Sequence, residues 1–422
     1  MKVLVAAASY VNTISGVQRH ALNIARSLLL LPEISELHFV VAPWQSGLTK
    51  FAGLHADPRF HTHVAEMKRD SFSRNLWYWR ELPRLAAQLR PDLVHLNYPV
   101  PLNSRAFSCP TVVTLHDLYP YEIPMNFGFP KFIFNRVVLR QCLLAVDAIA
   151  SISDSTRLRL RQYLPPAVGR KATTIYACAD SIFDTCLGAS SDPDPLAPGP
   201  SPIPGWNNEP FLLSVAQHRR NKNLCALIRS FHRLIASGWI HDNMKLVVVG
   251  TRGPETPAIF RLVHELGVAG RIHFLEGISV AELEWCYRNC EALVAPSLTE
   301  GFDLPIAEAT LAGCRIVCSS IPAHREVADA ECKFVPLRET FVEDLAAAIA
   351  DILDEPKPQP IALPSFSAPV LASQYLALYN RLIDSAAPQP SRNAAASIAA
   401  PDPEAIELPT PDPESALVYR GR

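Results

Sequence analysis

The chain has 422 residues, 49% of them hydrophobic and 19% charged, with 39 Lys+Arg against 41 Asp+Glu and a net charge of −2. That length allows two to three domains with ample core, and the near-neutral balance calls for no nucleic-acid partner. No segment approaches the ~18–20 consecutive apolar residues that a membrane span requires.

The even total hides an asymmetry. Residues 1–187 carry 20 Lys+Arg against 13 Asp+Glu, and the remainder carries 19 against 28. A basic first half suits an anionic acceptor or an anionic membrane surface, while scattered solvated arginines would give the same count. The ten cysteines form no evident framework. Cys286/Cys290 and Cys314/Cys318 have the look of two metal-binding pairs, but they fall on a helical segment and around a buried strand. In a cytoplasmic protein such cysteines act as small apolar core residues, so no metal is expected.

Residues 2–8 (KVLVAAA) are too short an apolar run for a secretory leader and read as a first buried strand. Strand-like runs follow at 37–42, 93–96, 111–115 and 148–152, separated by helical patterns such as 17–31 and 77–89. This alternation predicts a doubly wound α/β domain over 1–187. Residues 128–140 (GFPKFIFNRVVLR) mix three phenylalanines with Lys131, Arg136 and Arg140. They fit either an interfacial helix or a helix burying its apolar face in its own domain.

Residues 188–210 are rich in Pro, Gly and Ser and read as the connection to a second domain. A second alternation then runs through strands at 211–215, 245–250, 272–275, 291–296 and 315–319, with helices at 223–237, 256–266 and 281–289. Further helical patterns occupy 346–353 and 368–384. The tail from about 387, rich in Pro, Ala and Ser, is expected to be disordered. The domains are therefore drawn as 1–187, 211–365, a closing helix at 366–386, and the tail 387–422.

The densest chemistry lies at 296–308, PSLTEGFDLPIAE. A buried strand leads into a loop where Gly301 supplies backbone freedom, and Pro305 suits a helix start. Glu300 then stands at a strand's carboxyl end and Glu308 in the first turn of the next helix, both at the crevice where open α/β sheets bind ligands. Free N–H groups at the helix start could hold a phosphate, and Glu308 could accept two bonds from a ribose diol. Two glutamates alone would equally serve as a loop cap and a dipole partner. Upstream, 217–223 (QHRRNKN) is a basic loop between a strand and a helix, a setting in which Lys222 and an arginine can neutralise a diphosphate.

EGFDLPIAEA resembles the E-x7-E signature of glycosyltransferase family 4, EGFGLP-x-x-E-A. The resemblance implies the GT-B fold, in which two Rossmann-like domains face each other across a cleft, and retaining transfer of a sugar from a nucleotide-sugar. It places Glu300 beside the donor sugar and Glu308 on the nucleotide ribose, with Gly301 and the backbone of Phe302, Asp303 and Leu304 at the donor. Asp303 stands where glycine is commoner. Lys222 matches the family's pyrophosphate lysine. Gln217 and Asn221 occupy the usual arginine positions, so Arg219 or Arg220 must substitute, and Arg220 is preferred.

In the first half, Ser15-Gly16-Val17-Gln18-Arg19-His20 resembles the family's GGVER loop, with Gly16 retained beside the phosphates. Thr114-Leu115-His116-Asp117 resembles its TxHD strand end, which puts His116 in reach of the sugar or acceptor hydroxyl. Ser151-Ile152-Ser153-Asp154-Ser155 resembles a VSxxS exit, and Asp180 matches the last residue of PNGVD. Ile321 to Val327 matches the pattern after the signature and reads as structural.

The catalytic set expected is thus Glu300, His116 and Lys222, acting by electrostatic stabilisation and positioning without metal or cofactor. The only Asp-x-Asp, Asp192-Pro193-Asp194, lies in the connector. The expected partners are a nucleotide-sugar donor and a glycan or lipid-linked acceptor, in cell-surface polysaccharide or glycolipid synthesis. The expected location is cytoplasmic, with peripheral contact at the inner face of the plasma membrane through the first domain. A dinucleotide dehydrogenase would need G-x-G-x-x-G after a strand, and the chain has none. A sugar-nucleotide epimerase of the same fold and a non-catalytic partner of a glycan-assembly complex remain the alternatives.

Overall fold

The computed structural model describes residues 1–10, 15–47, 49, 53–179, 203, 206–328 and 331–386. Asp180, Asp192-Pro193-Asp194, most of the connector and the tail fall outside them.

Two parallel sheets build the molecule. The first contains β1 (Lys2–Ala6), β2 (Glu36–Val41), β3 (Phe60–Val64), β4 (Leu93–Leu96), β5 (Thr111–Leu115), β6 (Ala148–Ser151) and β7 (Ala172–Thr174), in spatial order β3-β2-β1-β4-β5-β6-β7. The second contains β8 (Phe211–Val215), β9 (Lys245–Val249), β10 (Ile272–Leu275), β11 (Ala292–Ala295), β12 (Ile316–Ser319) and β13 (Lys333–Val335), in order β10-β9-β8-β11-β12-β13. Both are doubly wound: the order reverses between β1 and β4 and again between β8 and β11. These reversals are the places where such sheets open a ligand crevice at their carboxyl ends.

The helices of the first lobe are α1 (Gly16–Leu29), α2 (Ser71–Leu89), α3 (Tyr119–Glu122), α4 (Lys131–Ala145), α5 (Asp154–Tyr163) and α6 (Pro166–Arg170). Those of the second are α7 (Leu224–Ala236), α8 (Thr256–Glu265), α9 (Val280–Asn289), α10 (Leu304–Leu311), α11 (Pro322–Val327) and α12 (Phe341–Leu353). The last helix, α13 (Ala368–Ala386), returns to the first lobe. Sheets covered by helices on both faces bury almost all of their central strands. Val3 and Val5 therefore point into one core and Leu4 and Ala6 into the other, and the strands read as unbroken apolar runs.

The edge strands β3 (FHTHV), β7, β10 and β13 escape that pattern, and in β3, β7 and β13, where exposed or half-exposed positions admit His61, Thr62 and Lys333, no continuous apolar run marks the element.

The chain crosses between lobes along two adjacent paths. The N–H of Ala179 donates to the carbonyl of Phe366 at 2.9 Å, and Cys178 and Ala179 pack into opposite lobes' cores. On the far side of that crossing, α13 buries Tyr375 and Tyr379 against the first sheet. The Tyr379 hydroxyl lies 2.6 Å from His95 Nδ1, so its polar end is satisfied within the core. The paired cysteines are core residues, with Cys290 and Cys314 sulfurs 3.9 Å apart and buried.

Candidate active site

The two reversal points face each other. From the second lobe come the loop after β8, carrying Lys222, and the loop after β11, carrying Glu300 to Asp303. The N–H of Leu298 donates to the carbonyl of Asn221 at 2.7 Å, which ties these loops together. Lys222 Nζ lies 2.9 Å from Glu300 Oε1 and 3.1 Å from Asp303 Oδ1. Burial works against its charge, but the two carboxylates prevail and hold the ammonium above its ordinary pKa. Glu300 uses its other oxygen to accept from the Tyr119 hydroxyl of the opposite lobe at 2.8 Å. Asn221 Nδ2 bridges that hydroxyl at 3.1 Å and Glu300 Oε1 at 3.3 Å, and Asn126 donates to Asn221 at 3.0 Å.

Asp303 adopts φ 74°, the left-handed region that glycine prefers, immediately before α10. The conformation is held by its side chain: Oδ1 meets Lys222 and Oδ2 meets His324 Nε2 at 2.8 Å. Burial pushes the carboxyl up, but Lys222 and His324 bring it well below the usual range. The aspartate is therefore turned inward as an anchor for Lys222.

Glu308 is the fifth residue of α10, in its second turn, because the helix starts at Leu304, one residue before Pro305, with the left-handed Asp303 as its cap position. Nor is it open. It is 2% exposed, 2.8 Å from Arg19 Nη1 of the first lobe, and accepts from the Tyr287 hydroxyl at 2.6 Å. Burial raises its pKa, with Arg19 and Tyr287 opposing.

At Gly301 the backbone of one lobe runs directly against that of the other. A Cβ there would fall 1.8 Å from the His116 carbonyl oxygen, so only glycine fits. The hydroxyls of Ser153 and Thr156 donate to the carbonyl of Gly301, and Ser153 also caps α5 by accepting from the N–H of Thr156 at 3.0 Å. His116 Nε2 faces the Asn97 carbonyl at 2.8 Å and must donate to it. Burial lowers its pKa to about 4, so the ring is neutral at physiological pH and Nδ1 is left as an acceptor. Neighbouring Asp117 is pushed up to about 6, chiefly by burial.

Of the two arginines, Arg219 is half-buried, donates from Nε to Gln217 at 3.0 Å, and its charge reaches Asp117 across the cleft. Arg220 is exposed, and its backbone N–H donates to Asn126 at 3.2 Å. The Arg219 side chain is thus the one turned toward the cleft, while the Arg220 side chain is exposed to solvent. Gly16 opens α1 with open space beside its Cα. Phe302 turns its ring into the core against Phe366, at 5.1 Å between centroids, and Leu304 begins α10, so both contribute backbone to the site.

Residue types alone did not disclose several of these groups. Arg19 lies inside the Gly16 loop motif, and Tyr119 lies two residues past Asp117. Arg159, one turn beyond Ser155, donates to Thr299 Oγ1 and the Glu300 carbonyl and pairs with Glu122 at 2.7 Å. The segment read as structural supplies His324 to the site, and Glu326, which accepts from the N–H groups of Asp154 and Ser155 at the start of α5. Beside Arg159 opens a cleft of about 440 Å³ between the lobes, lined among others by Glu122, Tyr163, Thr299, Glu300 and Pro322.

Two family models match in tandem: Glycosyltransferase Family 4 over residues 14–181 and Glycosyl transferases group 1 over 202–361. The chain belongs to glycosyltransferase family 4. This family 4 glycosyltransferase is 26% identical over 226 residues to O-antigen chain mannosyltransferase B of Escherichia coli, covering 51% of this chain and 54% of that protein. It is 29% identical over 215 residues to O-antigen chain mannosyltransferase RfbU of Salmonella typhimurium, covering 51% and 53%. With MMP alpha-(1->4)-mannosyltransferase of Mycolicibacterium hassiacum it shares 31% over 154 residues, covering 34% and 37%. The matches thus span about half or less of these relatives.

The fold agrees with solved GT-B enzymes. Sucrose-phosphate synthase from Thermosynechococcus elongatus superposes with TM-score 0.66 at 17% identity, covering 91% of this chain and all of that one. WaaG, a glycosyltransferase involved in lipopolysaccharide biosynthesis, gives 0.59 at 18%, covering 91% and 98%. Anabaena Alr3699/HepE, in complex with UDP and glucose, gives 0.59 at 15%, covering 91% and 99%.

Proposed function

We propose that this family 4 glycosyltransferase moves a hexosyl group, with mannosyl the leading candidate, from a nucleotide-diphosphate sugar to a glycan or lipid-linked acceptor in cell-surface polysaccharide or glycolipid synthesis. One observation carries the reading. Lys222 and Glu300 meet at 2.9 Å at the carboxyl ends of the two strands that flank the second sheet's reversal, and Tyr119 of the other lobe closes on the same carboxylate. The mannosyl preference rests on the names of the three relatives, and a nucleotide-sugar donor is supported by the UDP and glucose held by the Anabaena protein.

On this reading the diphosphate displaces carboxylates from Lys222 and draws on Arg219 and the N–H groups at the start of α10. Glu308 exchanges Arg19 for the ribose diol, and Glu300 is released toward the sugar. His116 Nδ1 accepts a hydroxyl of sugar or acceptor. Configuration is retained by attack on the face from which the diphosphate departs, with its oxygen receiving the acceptor's proton. Lys222 and Arg219 already supply the cationic partners that a leaving diphosphate needs, so the reading assigns no step to a metal.

Peripheral membrane contact is supported by α4. Its carboxyl half buries Leu139, Cys142 and Leu143. Phe129 before it is 81% exposed, and Ile133, Phe134 and Val137 are exposed beside Lys131 and Arg140. Among the described residues, no helix is long and apolar enough to cross a membrane.

Incubating the purified protein with GDP- and UDP-sugars should release nucleoside diphosphate, and glycosyl transfer should follow when acceptor is present. Conversion of one nucleotide-sugar into another would favour the epimerase. Failure of every nucleoside diphosphate to raise the melting temperature at saturation would favour the non-catalytic partner.

A further inference from the structure

His324 is fully buried, and both of its ring nitrogens face oxygen. Nδ1 lies 2.8 Å from the carbonyl oxygen of Ser319. The Ser319 hydroxyl, 3.3 Å away, donates its own proton to the carbonyl of Ser297 and has none to offer the ring. A carbonyl only accepts, so Nδ1 carries a proton. Nε2 lies 2.8 Å from Asp303 Oδ2, and a lone pair there would face a carboxylate. One further proton must therefore sit between the two residues. Lys222, 3.1 Å from the other Asp303 oxygen, keeps the carboxylate ionised and assigns that proton to the imidazole.

The geometry points to His324 as a positioning residue for donor binding: as an imidazolium it holds Asp303 and offsets its charge, so that the cluster around Lys222 presents no net negative charge to a diphosphate. This rests on the glycosyl-transfer reading above. The groups involved are Glu300 and Asp303 around the Lys222 ammonium, and Asp303 with the Ser319 carbonyl around the ring. With His324 charged, two cations meet two carboxylates. With it neutral, both carboxylates fall on Lys222 alone, and an arriving diphosphate meets a net negative site. Asp303 stands where the signature has glycine and adds a second carboxylate to Lys222 beside Glu300, and His324 is its counterweight.

Two measurements test this on the full chain. In ¹⁵N-histidine spectra, with His324→Gln used to assign the signal, both His324 ring nitrogens should be protonated at neutral pH. A single-tautomer neutral ring would overturn the inference. In steady-state kinetics, His324→Gln should raise donor KM by about tenfold with a smaller change in kcat, and adding Asp303→Gly should bring KM back within about threefold of wild type. A double variant no better than His324→Gln would also overturn it, since a merely structural histidine would not be rescued by removing its partner. Wild-type protein that shows the protonated ring but turns over no donor would sink the glycosyl-transfer reading instead.

Discussion

Arg19 and Glu308, 289 positions apart, form a 2.8 Å ion pair that joins the first helix of one lobe to the signature helix of the other. The glutamate is buried and the arginine about a quarter exposed, so the two partners differ in what their loss costs. Arg19→Ala leaves a buried carboxylate with Tyr287 as its remaining partner. We expect a loss on the order of 3 kcal/mol in urea unfolding. Arg19→Ala/Glu308→Gln should recover at least half of it, because the glutamine brings no charge to strand. Additive losses in the double variant would show that the pair is not coupled.

Removing Lys222 takes the shared cation from two buried carboxylates at once. Lys222→Met should cost roughly 3–5 kcal/mol of stability as well as depressing transfer. Adding Asp303→Asn should return part of the stability but not the turnover. Chemical denaturation and donor hydrolysis separate the two effects. Turnover equal to wild type in Lys222→Met would exclude the diphosphate role.

Gly301→Ala tests closure of the cleft. Its methyl group cannot coexist with the His116 carbonyl at 1.8 Å, so the lobes must part at this point. We expect a larger radius of gyration in solution scattering and about a hundredfold loss of kcat/KM, the usual cost of an ångström of misplacement. Unchanged scattering with full activity would mean that the lobes need not approach this closely.

Acid should destabilise the protein through buried His95 and His116. Burial lowers His116 to about 4 and His95 to about 3, whereas the unfolded chain takes up these protons near the ordinary 6.5. Stability from both groups is therefore complete above about pH 6.5 and declines as pH falls, by at most about 1.4 kcal/mol per pH unit for each. Asp117, raised to about 6 from 3.8, acts in the opposite sense between those values. Urea midpoints measured from pH 7 to pH 4 should fall less steeply in His116→Asn and more steeply in Asp117→Asn. Parallel slopes in all three proteins would contradict this assignment.

Two doubly wound sheets, the glutamate signature and Lys222 were legible in the sequence because each is a local pattern. Apolar runs mark strands buried on both faces, and motif residues a few positions apart share one loop or one helical turn. The edge strands β3, β7 and β13 were not legible, since their polar residues break that pattern, whereas the edge strand β10 keeps Ile272, Phe274 and Leu275 and remained readable. Tertiary structure alone decided the partners. Arg19 meets Glu308, Tyr119 meets Glu300 and Asp303 meets both Lys222 and His324, contacts that bring together residues 21 to 289 positions apart. It also turned Asp303 inward and buried Glu308, because a carboxylate at close quarters settles where opposite charge and hydrogen-bond donors offset its desolvation, and no local spacing records where those lie.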